Sequence, residues 1–67
     1  MMDEREIEAL RAKVRNRGKS MTLDSIAFGA GLSTSWLAKF AGGKIKEPRL
    51  HNYQALRAYM DRAQRAA

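Results

Sequence analysis

A chain of 67 residues suits one domain over 1–67 with a modest core; with no cysteine and one histidine, His51, it has no disulfide and no evident metal site or cofactor. Its 13 Lys+Arg against 7 Asp+Glu leave a net charge of +6, concentrated in residues 9–49, which points to a polyanionic partner. No apolar run approaches the roughly 20 residues of a membrane span, and no charged leader with an apolar stretch opens the chain, so the expected location is cytoplasmic with no membrane partner.

The pattern predicts helices and no sheet, because the β-branched residues never alternate over a useful length. Asp3 caps a first helix, with Glu6 three residues on as in a capping box. Ile7, Leu10 and Val14 recur at helical spacing, and Gly18 is the expected stop. Thr22 caps a second, short helix whose apolar stripe is Leu23, Ile26, Ala27 and Ala30; Gly31 ends it. Ser33 caps a third, with Leu37 and Phe40 facing inward and Gly42-Gly43 stopping it. A basic loop, Lys44–Arg49, holds the only proline, Pro48. A fourth helix runs from about Leu50 into the sixties, with Leu50, Tyr53, Leu56 and Met60 as its buried face. The expected fold is all-α, a compact bundle of four to five short helices.

The stretch LDSIAFGAGLSTSWLAKFAG carries the functional signal. Two short helices that cross steeply need a small residue where their backbones approach, and Ala27 supplies it. The turn needs glycine four residues later, and Gly31 is there. Ile26, Ala30, Leu32, Leu37 and Phe40 fall where side chains point into a shared core. This is the helix-turn-helix pattern, in which the second helix enters the DNA major groove.

Together with the run GGKIKEPRLHNYQALRAYM, this stretch resembles the lambdoid phage repressor and Cro-like group, the XRE-type helix-turn-helix proteins. The likeness covers roughly residues 21–60, and residues 1–20 match only as a helix. It implies a lambda-repressor-like fold and a phage or prophage type repressor. It also implies that the loop with Gly43, Lys44, Lys46, Pro48 and Arg49 grips the DNA backbone. Glu47 and Gly42 depart from the basic and polar residues usual there, which implies somewhat fewer backbone contacts at this loop.

Geometry assigns the roles. Thr34 and Ser35 open the exposed face of the third helix and Lys39 follows one turn later, so these three are the expected base-reading residues. Lys39 is the first choice, since a lysine reaches guanine O6 or N7. Thr22 with the free N–H groups after it makes a phosphate site, and Ser33 belongs with it. Lys44, Lys46 and Arg49 are expected on phosphates, Arg49 within reach of the minor groove, and Lys19 adds a further contact. Trp36 lies beside the reading face, where it either packs against the basic loop or points its indole N–H at phosphate. Phe28 falls where a polar residue is usual, and either covers the first helix or joins a partner surface. Gly29 costs about 1 kcal/mol against alanine in a helix interior.

One recognition helix reads few base pairs, so a homodimer on a palindromic operator is expected, with Tyr59 and Ala63, continued by Ala66, at the interface. No catalytic constellation is present: the serines lack a paired histidine and acid, and Gly42-Gly43-Lys44 is too short for a nucleotide loop. The competing expectations are an antitoxin that represses its own operon with a toxin as partner, and a basic protein-interaction module without sequence-specific DNA binding.

Overall fold

The computed structural model describes residues 3–18 and 20–66, with side-chain surroundings as far as Ala63. Among these residues, four α-helices make the fold: α1 Glu4–Arg15, α2 Leu23–Ala30, α3 Thr34–Ala41 and α4 Leu50–Ala66. No strand occurs among the described residues. No described helix is long and apolar enough to cross a membrane.

Each helix buries one stripe. Ile7, Leu10 and Val14 of α1 meet Ile26 and Ala27 of α2, Leu37 and Phe40 of α3, and Tyr53, Leu56 and Met60 of α4 in one core. Complete burial of such side chains stabilises by about 1.5–3 kcal/mol each. The packing is cyclic: α1 packs on α3 and α4, and α2 packs on the same two. Ala27, 1 % exposed, lies in this core in the middle of α2.

The start of α2 is fixed by a reciprocal cap. Thr22 Oγ1 accepts from the Ser25 N–H at 3.1 Å, and Ser25 Oγ accepts from the Thr22 N–H at 3.1 Å. The end of α2 is fixed by Gly31 at φ +73°, with the Leu32 N–H donating to the Ala27 carbonyl at 2.8 Å and the Gly31 N–H to Phe28 at 3.3 Å. A residue with a β-carbon resists that conformation. Ser33 then caps α3 by accepting from the Trp36 N–H at 3.0 Å. Helix, three-residue turn and helix thus follow the expected spacing.

Three expectations need correction. α1 ends at Arg15 with Asn16 as its cap, short of Gly18. Arg17 explains the early stop: its guanidinium donates to the carbonyls of Val14 and Met21, both at 3.0 Å, and so closes the helix end onto the following loop. At the other end of α1, Asp3 caps Arg5 N–H at 2.9 Å, one position short of Glu6; no returning bond from Glu6 is among the described contacts. Leu50 is 57 % exposed and does not join the α4 face. Pro48, two residues earlier, is buried instead, and the buried face of α4 begins at Tyr53.

Candidate nucleic-acid interface

The outer face of α3 is uncommitted. Thr34, Ser35, Ala38 and Lys39 are all exposed, while Leu37 and Phe40 on the opposite side are fully buried. Thr34 with Ala38 and Ser35 with Lys39 form two adjacent rows at four-residue spacing, so the exposed groups make one strip. Within it stand two hydroxyls, a methyl group and an ammonium group. The hydroxyls and the ammonium group can bond base edges, and the methyl group can contact a thymine methyl.

Trp36 borders this strip and is half-buried. Its ring stacks on Phe40, one turn along α3, with centroids 5.3 Å and planes 5° apart. Trp36 thus packs on Phe40 and the core; its expected contact with phosphate concerns a bound duplex.

At its C-terminus α3 wraps into the loop. Gly43, at φ +83°, donates to the Phe40 carbonyl at 3.2 Å, and the Lys44 N–H donates to the Lys39 carbonyl at 2.9 Å. The loop then alternates. Ile45 is half-buried against the core and Pro48 is buried, while Lys44, Lys46, Glu47 and Arg49 are exposed. The apolar residues anchor the loop and leave three cations outward beside one carboxylate.

A second basic element lies where three helix ends converge. One surface cleft is lined by Arg15 at the end of α1 and Arg17 after it, Thr22 and Asp24 at the start of α2, and Thr34 at the start of α3. Because Ser25 occupies the Thr22 oxygen and N–H, the open donors of this helix start are the Leu23 and Asp24 N–H groups and the Thr22 hydroxyl proton. The Asp24 carboxylate sets one negative charge on the rim. Ser33 is exposed, but its hydroxyl oxygen already caps α3. Arg15 and Arg17 were not among the expected site residues. Their presence here comes from the fold, since α1 ends beside the starts of α2 and α3.

The thirteen Lys and Arg residues are not equivalent. Arg11 is buried at 5 % exposure and donates to backbone carbonyls of α3 and the loop. Arg15 donates to the Ala41 carbonyl at 2.6 Å, and Lys13 stands 3.6 Å from Asp61 of α4. Lys39, Lys44, Lys46 and Arg49 make no such contact among the described residues and face solvent. The expected contact of Lys19 lies outside the described residues, as does the side chain of Ala66.

The residues expected at a dimer interface lie on α4. Tyr59 is half-buried across α2, at Gly29, where an added β-carbon would collide with its ring. The missing side chain of Gly29 is thereby explained as a close approach between α2 and α4. Ala63 is half-buried. Phe28, by contrast, is 91 % exposed, which rules out its covering the first helix as described.

No group of three or more metal-ligating side chains occurs among the described residues. No protein-family model, curated protein or solved structure matches the chain. The likeness to the repressor and Cro-like group therefore rests on the residues of 21–60 alone.

Proposed function

We propose that this chain is a sequence-specific, double-stranded DNA-binding regulator of transcription, of the phage or prophage repressor type, acting in the cytoplasm at the nucleoid. It inserts α3 into the major groove and lays the Lys44–Arg49 loop on the phosphate backbone. The observation that carries this reading is the exposed strip Thr34, Ser35, Ala38 and Lys39 on a helix whose other side is locked in the core, followed along the chain by three exposed cations, Lys44, Lys46 and Arg49. Lys39 reads bases with Thr34 and Ser35, while Lys44, Lys46, Arg49 and the cleft at Thr22 position the chain on phosphates. Two chains bind a two-fold symmetric operator. The chemistry proposed is occupancy of DNA, with no catalytic step.

Selection of bound duplexes from a random pool, followed by mobility shift, tests the reading. It predicts an enriched sequence bound on the order of 10³-fold or more tighter than random duplex. Weak retardation of all duplexes alike contradicts it. One observation favours a second reading. Phe28, an aromatic ring almost wholly in solvent, suits a protein partner such as a toxin, and a basic interaction module would give that sequence-blind result.

A further inference from the structure

Two arginines of α1, four residues apart on one helix face, hold the junction between α3 and the basic loop. Arg11 Nε donates to the Phe40 carbonyl at 2.8 Å, and its Nη2 donates to the Ile45 carbonyl. Its Nη1 pairs with Glu8, and its guanidinium carbon lies 4.9 Å from the centroid of the Phe40 ring. Arg15 Nε donates to the Ala41 carbonyl at 2.6 Å, and its guanidinium reaches to Gly43. A helix leaves its last four carbonyls without helical partners. Here backbone N–H groups of the wrap and these two arginines satisfy them, and Arg11 continues to Ile45, which stands between Lys44 and Lys46. Arg11 is itself 5 % exposed, so it cannot serve as a phosphate ligand without leaving the core.

We infer that Arg11, seconded by Arg15, is a positioning residue for DNA binding: it fixes the spacing between the base-reading strip of α3 and the phosphate-binding lysines of the loop. The inference rests on the DNA-binding reading above. Its chemical basis is the planar fork of arginine. One guanidinium bonds the end of α3 and the loop backbone together, and a lysine ammonium, a single point charge, cannot hold the same planar geometry. Removing the fork frees the loop, after which Lys44 and Lys46 find phosphate only at the cost of ordering.

The test compares the full chain with Arg11→Lys, which keeps the charge, Arg15→Met, and Lys13→Met as a charge control on α1. Each is also combined with Lys44→Ala/Lys46→Ala. All measurements are made below the melting transition of each variant. In the free protein, Arg11→Lys should speed hydrogen exchange of the Lys44 amide on the order of tenfold more than that of the Leu56 amide. On the duplex enriched by the wild type, it should lower the log–log salt slope by about 2, the share of two phosphate contacts. The loss caused by removing both lysines should shrink in the Arg11→Lys background, whereas in the Lys13→Met background it should stay whole. Arg15→Met should show the same pattern, more weakly.

A uniform rise in exchange, an unchanged slope or additive losses would mean that Arg11 merely stabilises the fold, and would overturn the inference while leaving the DNA reading intact. A wild-type chain that retards no duplex would overturn the DNA reading, and the inference with it.

Discussion

At the scale of single residues, the cations of this chain divide by what they touch. Arg11, Arg15 and Arg17 bond backbone carbonyls within the molecule, whereas Lys39, Lys44 and Lys46 stand in solvent on the proposed interface. Lys39→Ala should therefore relax base preference at one or two positions of the enriched sequence, at about 1–3 kcal/mol of lost discrimination. Lys44→Ala or Lys46→Ala should weaken every duplex alike and reduce the salt slope by about 0.9 each. An unchanged set of enriched sequences for Lys39→Ala would remove Lys39 from base reading. The solvent-facing cations were legible in the sequence because they lie off the apolar stripes. Arg11 was not. Its signal was a charge inside the stripe, one position after Leu10 and four after Ile7, but its partners are backbone carbonyls far along the chain, which side-chain patterns do not display.

At the scale of elements, the caps and the turn between α2 and α3 were readable because their chemistry is local. Thr22, Gly31 and Ser33 each act within a few residues of themselves. Gly31→Val should unfold the domain: it forces a β-branched residue to φ +73°, in a domain whose whole stability is of the order of 5 kcal/mol. A normal melting temperature for that variant would contradict the turn as described. Gly29 could not be read locally, since its reason is Tyr59, thirty residues away. Gly29→Ala should lose about 1–3 kcal/mol to overpacking despite a gain of about 1 kcal/mol in helix propensity. Combining it with Tyr59→Ala should recover part of that loss, because the collision then has no ring to meet. Thermal melts of the two single variants and the double close this cycle; strict additivity would place Tyr59 elsewhere.

At the scale of the whole molecule, four helices in a cyclic packing leave α3 with one face in the core and one in solvent. One such helix reads few base pairs, and two copies about 34 Å apart would read both halves of a palindrome. Tyr59 is held against Gly29, so it offers a second copy only its outer edge; Phe28 is the aromatic group free to meet one. Sedimentation with the enriched duplex should give two chains per site, and Phe28→Glu should lower that stoichiometry while keeping the fold. Two-to-one binding that persists in Phe28→Glu would move the interface to the α4 side, toward Ala63.

The central claim is that the α3 strip and the basic loop form a surface for duplex DNA. Backbone amide chemical shifts of the chain, recorded while the enriched duplex is titrated in, test it most directly. The account predicts perturbations confined mainly to Thr34–Lys39, Lys44–Arg49 and the start of α2, and shrinking as salt is raised. Perturbations centred on Phe28 and α4 with the α3 strip silent, or none with any duplex, would contradict it.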